Sequence, residues 1–169
     1  MIVIYKEIYL IMTKIIGIDP ALRKTGWAII ENNNNSLNFI ASGTIKTNDK
    51  ESISNRLSDL HYQLAEIIEN YHPEEAAIEE TFVNNNSLSS LKLGQARGAI
   101  IVTCAIFDLK IAEYASTNVK KAISGIGRAD KNQIAQMVKY LMPKAKFNSS
   151  DESDAIAIAI CHNNHRISV

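Results

Sequence analysis

Four acidic residues stand where the sequence pattern places the ends of secondary-structure elements. Asp19 and Glu79 each follow a short apolar run that is typical of a buried strand. Asp151 and Asp154 lie three residues apart at the start of a predicted helix, so they share one helix face. Strand ends that point the same way gather at one edge of a sheet, where α/β proteins bind ligands. We therefore expect these carboxylates to share one crevice.

Carboxylates crowded into a crevice repel one another and need a compensating positive charge. All-oxygen ligand sets select hard cations, which favours Mg²⁺ or Mn²⁺ over zinc. Two such ions about 4 Å apart can activate a water on one side of a phosphodiester and stabilise the leaving oxygen on the other. The acids have structural interpretations too, Asp19 as a turn former before Pro20 and Asp151 as a favourable charge at a helix N-terminus.

Alternation within a strand decides which of two adjacent acids faces the crevice. Glu79 is followed directly by Glu80. Successive side chains of a strand point to opposite faces of the sheet, so only one of the two enters the site. We assign that position to Glu79.

Basic residues are concentrated in one segment although the formal net charge of the chain is zero. Residues 110–146 contain eight Lys or Arg against two acids, whereas residues 51–80 contain eight acids against one base. A locally basic segment can hold phosphates even in a neutral protein. The alternative is a solvated surface without a ligand.

Strands and helices alternate along the chain in a way that positions such a crevice. Short apolar runs joined by turns predict three antiparallel strands at residues 14–19, 26–31 and 37–46. The later predicted elements are a helix at 51–71, a strand at 76–78, a helix at 88–107, a strand at 111–114, a helix to about 123, a helix from 130 to 142 and a helix from 149 or 150 onward. This order predicts an α/β layered domain.

Helix caps can be assigned for two of the later helices. Ser116 or Thr117 is expected to cap the helix that ends near residue 123. Asp130 and Gln133 have the spacing of a capping box, in which each side chain accepts a hydrogen bond from the backbone N–H of the other residue.

The length of 169 residues suits one domain, with 46% hydrophobic and 21% charged residues. We expect a single domain over residues 12–169 and an extension of uncertain status at 1–11, since Met12 begins a second plausible start. The extension is too poor in basic residues for a secretory signal, and no apolar run reaches the ~18 residues of a membrane span. Cys104 and Cys161 lie in apolar stretches, which predicts buried thiols in a reducing, cytoplasmic compartment.

Five sequence blocks resemble the RuvC Holliday junction resolvases in both order and spacing. They are GIDPALRKTG at 17–26, AIEETF at 77–82, SLKLGQARG at 90–98, VKKAISGIG at 119–127 and DESDAIAIAICH at 151–162. The resemblance implies a ribonuclease H-like fold with a five-stranded mixed sheet, three antiparallel strands and then two parallel ones, flanked by helices. It also implies a homodimer that cuts two opposed strands of a four-way DNA junction in recombination and repair. Two Mg²⁺ ions per subunit, replaceable by Mn²⁺, and a branch-migration helicase partner are implied as well.

The resemblance assigns roles to individual residues. It makes Asp19, Glu79, Asp154 and Asp151 catalytic and metal-binding, with Asp151 at a position where some members have histidine. It places Phe82 against bases at the junction centre, and Lys120 and Lys131 near the scissile phosphate. The expected products carry 5′-phosphate and 3′-hydroxyl ends.

Two glycines in the predicted long helix point to a close helix contact. Gly94 and Gly98 are one turn apart, and an interior glycine costs a helix about 1 kcal/mol relative to alanine. The resemblance places the dimer interface on this helix. Packing against the protein's own sheet is the alternative.

Three other functions are consistent with part of the pattern. An actin-like kinase or ATPase also carries an aspartate and a TG pair after its first strand, but it needs roughly twice this length. Another ribonuclease H-like nuclease would act on RNA or RNA–DNA hybrids. A junction-binding protein without catalysis would keep the fold but not the acids.

Overall fold

The computed structural model describes residues 12–33, 36–80 and 87–166. Its central sheet has five strands in the order β3-β2-β1-β4-β5. The strands are β1 (Thr13–Asp19), β2 (Lys24–Asn32), β3 (Leu37–Lys46), β4 (Glu75–Glu79) and β5 (Lys110–Tyr114). The helices are α1 (Ile53–Tyr71), α2 (Ser87–Ile106), α3 (Ser116–Ser124), α4 (Lys131–Leu141) and α5 (Ser150–His165).

The sheet is mixed, as the resemblance implied. β1, β2 and β3 form an antiparallel meander, and β4 and β5 run parallel to β1. The parallel pairing brings the carboxyl ends of β1 and β4 to the same edge, because Ile18 is opposite Ile78. β2 begins two residues before the predicted limit, since Lys24 and Thr25 still pair with β3.

Alternation divides the apolar side chains of the sheet between two cores. Ile16 and Ile18 of β1 pack with the helices α1 and α2 on one face, where Leu60 and Leu64 of α1 are fully buried. Ile15 of the same strand packs on the other face with α3, α4 and α5. The sheet is therefore covered on both faces, and its carboxyl edge opens between β1, β4 and α5.

α5 lies directly on the sheet and is the most buried helix of the described chain. Ten of its sixteen residues are buried, and its centre alternates small alanines with isoleucines. A Cβ atom on Gly17 of β1 would lie 2.1 Å from the carbonyl oxygen of Ala155. Glycine at this position therefore allows the backbones of α5 and β1 to approach closely.

A buried polar network anchors the C-terminal end of α5. The Glu75 carboxylate, at the start of β4, lies 2.8 Å from His162 Nε2 and 2.9 Å from Arg166 Nη2. The second ring nitrogen of His162 is 2.7 Å from the Tyr114 hydroxyl. The network lies at the end of β4 opposite Glu79, so it fixes the helix without entering the site.

The helix caps agree with the sequence in one case and differ in the other. Asp130 and Gln133 form the predicted capping box of α4. The assignment of Ser116 or Thr117 as the cap of α3 is wrong. The cap position is Ala115, which makes no side-chain cap hydrogen bond, and Ser116 is already the first helical residue.

The glycines of α2 do not face the sheet. A Cβ atom placed on Gly94 or Gly98 would meet no atom of the described residues within 4 Å. Packing against the protein's own sheet is therefore wrong as the explanation of these two residues. α2 uses its other face for the core, through the buried residues Ala96, Ile100, Thr103 and Cys104.

Two further expectations concern the cysteines and membrane-spanning segments. Cys104 and Cys161 are both free and buried, as predicted. In the part of the chain that the structure describes, no helix is long and apolar enough to cross a bilayer.

Candidate active site

Three of the predicted acids line one cleft at the carboxyl edge of the sheet. Asp19 ends β1, Glu79 ends the adjacent parallel strand β4, and Asp154 projects from the first turns of α5. The cleft has a volume of about 180 Å³. Its lining residues are Asp19, Glu79, Ser116, Val119, Lys120, Lys131, Ile134, Asp154, Ala157 and Ile158.

Asp19 has the largest pKa shift among the acids of the site. Burial raises the pKa of Asp19 to about 8, and the charges of Glu79 and Asp154 and a hydrogen bond with Glu79 act in the same direction. The charge of Lys131 opposes these effects only in part. Without a cation, Asp19 therefore holds a proton at neutral pH, as expected for carboxylates brought together with insufficient compensation.

Lys131 forms an ion pair with one of the acids that line the cleft. Its Nζ atom lies 3.4 Å from Asp154 Oδ2. Burial raises the pKa of Asp154, and the charge of Lys131 works against that shift. The same pair raises the pKa of Lys131, so the lysine stays protonated beside the cleft. Lys131 is in place because the capping box begins α4 at this residue.

Asp151 lies at the margin of the cleft rather than in its lining. Its carboxylate forms an ion pair with Lys24, with 2.8 Å between Nζ and Oδ2. Its charge is still close enough to raise the pKa of Asp154. The four acids are thus brought to one region, but Asp151 and Asp154 are engaged by different lysines.

The other predicted site residues differ in whether they line the cleft. Lys120 and Lys131 both line the cleft. Glu80 is absent from the cleft lining, which agrees with the assignment of Glu79 by alternation. Phe82 lies outside the described residues.

Three residues near the acids were not found from the sequence. Ser116 lines the cleft, and Lys24 pairs with Asp151. Gly26 lies beneath the first turn of α5, where a Cβ atom would be 2.1 Å from the carbonyl oxygen of Asp151. The Thr25–Gly26 pair in the sequence could have indicated Gly26, but no local pattern indicates a role for Lys24.

The donor set fits a hard divalent cation. The four acids supply carboxylate oxygens, the ligands that Mg²⁺ and Mn²⁺ prefer. Among the described residues, no three side chains of Asp, Glu, His or Cys are already arranged so that they could hold a metal ion. Asp151 and Asp154 form ion pairs with Lys24 and Lys131 instead, so a bound cation would have to replace these contacts.

Fold and site together define a ribonuclease H-like nuclease with a carboxylate centre. The family model described as "Crossover junction endodeoxyribonuclease RuvC" matches residues 15–162. A crossover junction endodeoxyribonuclease RuvC from Chelativorans sp. (strain BNC1) is 55% identical over 153 residues, which are 90% of each chain. The chain belongs to the RuvC family of crossover junction endodeoxyribonucleases, which are metal-dependent nucleases of DNA recombination and repair.

Solved structures agree with this membership. The structure of Thermus thermophilus RuvC in complex with Holliday junction substrate has a TM-score of 0.82 and 27% identity, covering 89% of this chain and 93% of that chain. The yeast mitochondrial Holliday junction resolvase Ydc2 has a TM-score of 0.66 and 13% identity, covering 88% of this chain and 77% of that chain. The second likeness shows a shared fold.

Proposed function

We propose that this chain resolves four-way DNA junctions by hydrolysing two opposed strands, leaving 5′-phosphate and 3′-hydroxyl ends. The observation that carries the proposal is the convergence of Asp19, Glu79 and Asp154 on one cleft that also contains two lysines. The Thermus thermophilus relative was solved with a Holliday junction as substrate. A carboxylate centre flanked by lysines suits a polyanion whose phosphodiester is cut with the help of cations.

Asp19, Glu79, Asp151 and Asp154 are the residues that would hold Mg²⁺, with two ions per subunit and Mn²⁺ as a substitute. When bound, such ions lower the pKa of a water and stabilise the leaving oxygen of a phosphodiester. Asp19 has to lose its proton for this role, because its pKa is about 8 without a cation. Cation binding and proton release are therefore coupled at this residue.

Lys120 and Lys131 would hold the scissile phosphate. Both lysines line the cleft, on the helices α3 and α4. Lys131 is also the first residue of α4, where the backbone N–H groups of the first turn and the helix dipole favour an anion. For Phe82 we propose stacking on a base at the junction centre, worth ~1–3 kcal/mol per base.

A homodimer would present two such clefts to the two strands of a junction. α2 supports this proposal with an exposed apolar face. Leu88, Leu91, Val102 and Ile106 have 69%, 61%, 58% and 63% of their surfaces exposed. Gly94 and Gly98 lie on the same helix with open space above them, so a second helix could approach closely.

Family membership supports three further proposals. Residues 12–169 would form one nuclease domain, a proposal supported by the family model, which matches residues 15–162 and leaves the extension 1–11 outside. A branch-migration helicase complex would be the partner on the junction. The protein would act in the cytoplasm, where bacterial DNA is located.

A cleavage assay on a mobile four-way junction tests the proposed function. With Mg²⁺, we expect paired nicks on opposed strands and ends that a ligase can seal. Linear duplex and an RNA–DNA hybrid of the same sequence serve as matched substrates. Preferred cleavage of the hybrid would favour a nuclease of RNA, and junction binding without nicking would favour a catalytically silent protein.

A further inference from the structure

We propose that Lys24 is a positioning residue that competes with metal ions for the Asp151 carboxylate. In the metal-free protein, its ammonium group holds Asp151 at the margin of the cleft, and a cation that uses Asp151 must displace it. The proposal rests on the metal-dependent function proposed for the acids. It concerns a contact between two side chains of this chain, Lys24 Nζ and Asp151 Oδ2, 2.8 Å apart.

The position of Lys24 on the sheet explains why it reaches Asp151. Side chains two residues apart in a strand lie on the same face, so Lys24 shares its face with Gly26. Gly26 lies beneath the backbone of Asp151, within van der Waals contact of the helix. The first residues of β2 therefore contact Asp151 twice, once at its backbone and once at its carboxylate.

The charges of the site are distributed in a way that gives Lys24 this role. Asp154 has Lys131 as its cation at 3.4 Å, and Asp151 has Lys24. Among the described residues, neither Asp19 nor Glu79 takes part in an ion pair, and these two acids hydrogen-bond to each other. Asp19 and Glu79 thus have no ammonium partner, whereas Asp151 and Asp154 each have one.

This distribution predicts two unequal cation sites. A first divalent ion at Asp19 and Glu79 has no ammonium group to displace, so its binding is the more favourable event. A second ion that needs Asp151 has to break the contact with Lys24. The side chains of Lys24 and Asp151 are 39% and 22% exposed, so this contact is strong enough to compete but weak enough to be displaced.

Mn²⁺ titration of the full-length, DNA-free protein by calorimetry tests the proposal. The Asp151-dependent binding is the difference between the wild-type protein and D151N. We expect K24M to tighten this binding about two- to fivefold, the range that a partly exposed ion pair supports. K24R keeps the ion pair and is expected to bind Mn²⁺ as the wild-type protein does.

Two controls separate displacement of Lys24 from a general change in charge. Lys46 is the register partner of Lys24 on β3 and is exposed, so K46M removes one positive charge from the same edge of the sheet. We expect K46M to leave Mn²⁺ affinity unchanged. In a D151N background, K24M should likewise have no effect, because the two mutations act through one contact.

Unchanged or weaker Mn²⁺ binding by K24M would overturn the proposal. An equal gain with K46M, or an undiminished gain in the D151N background, would also overturn it, because the effect would then be long-range electrostatics. The titration contains no DNA, so its result is independent of the substrate. Failure of the wild-type protein to cut any junction would count against the proposed function and leave the Lys24 measurement intact.

Discussion

Gly26 of β2 lies so close to the carbonyl oxygen of Asp151 that a Cβ atom at position 26 would stand 2.1 Å from it. Gly26 is also the register partner of Asp19 in the β1–β2 pair. One close contact therefore sets the distance between α5 and β1, the strand that ends at Asp19. The distance between Asp19 and the acids of α5 depends on a residue that has no side chain.

Gly26→Ala should displace the N-terminal turn of α5 and lower both stability and cleavage. Overpacking of this kind costs about 1–3 kcal/mol, and a displacement of ~1 Å at a catalytic group can cost ~100-fold in rate. Thermal unfolding and junction cleavage measure the two effects. Gly127→Ala is the matched control, because its Cβ would meet Thr117 at an ordinary 3.5 Å. Equal behaviour of the two variants would contradict this account of Gly26.

Asp19→Asn should abolish cleavage and leave junction binding intact. The amide keeps the shape of the side chain but lacks the charge that a cation needs, and a loss of roughly 10²–10⁴-fold is typical of a catalytic group. A nicking assay and a gel-shift titration in Ca²⁺ separate the two properties. Glu80→Gln is the control, since Glu80 does not line the cleft and its variant should cut normally. Normal cleavage by Asp19→Asn in Mg²⁺ would show that the site is wrongly assigned.

The stability of the metal-free protein should fall as pH rises from about 4 to about 8. The pKa of Asp19 is about 8 in the folded protein, against an ordinary value of 3.8. Within this window the folded state binds more protons than the unfolded state, so rising pH favours unfolding. Below this window Asp19 is protonated in both the folded and the unfolded state. Above it Asp19 is ionised in both states, so its contribution to the free energy of unfolding no longer changes with pH.

Asp19→Asn isolates this effect because its amide does not titrate. In EDTA at pH 8 the variant should melt above the wild-type protein, and each 1 kcal/mol relieved corresponds to roughly 2–4 °C for a chain of this size. The difference should shrink toward pH 4, and saturating Mg²⁺ should reverse it. Parallel melting curves for the two proteins across this pH range would contradict the raised pKa.

Charges placed on the exposed face of α2 should separate the dimer. Leu91→Glu or Val102→Glu puts a carboxylate into the proposed interface and should raise the dimer dissociation constant at least ~10-fold, which corresponds to about 1.4 kcal/mol. Sedimentation equilibrium measures this constant. Tyr140→Glu, on α4 and 77% exposed, introduces the same charge on a different surface and should not change it. A wild-type protein that stays monomeric at micromolar concentration would contradict the interface.

Local patterns in the sequence were sufficient for most of the fold. β3 has the predicted limits, and the capping box of Asp130 and Gln133 begins α4 where expected. Asp19 and Glu79 could be placed because a strand end fixes both the position and the face of the next residue. These features depend on residues that are close together in the chain.

Contacts between distant segments could not be predicted in this way. The periodicity of β2 indicates a strand but not that Lys24 reaches the first turn of α5. Asp151 and Asp154 share a helix face, yet only Asp154 lines the cleft, because β2 engages the other acid. Ser116 looked like a cap by residue type, but the chain enters α3 at Ala115 and directs Ser116 to the cleft.

The burial of α5 has a consequence for how heat inactivates the protein. Asp154 belongs to a helix whose buried residues form the core of one face of the sheet. Backbone amides in such a helix exchange with solvent only when the whole domain opens. Slow hydrogen exchange is therefore expected through α5, and heat should inactivate the protein at its global melting transition, without an earlier local loosening of the acids.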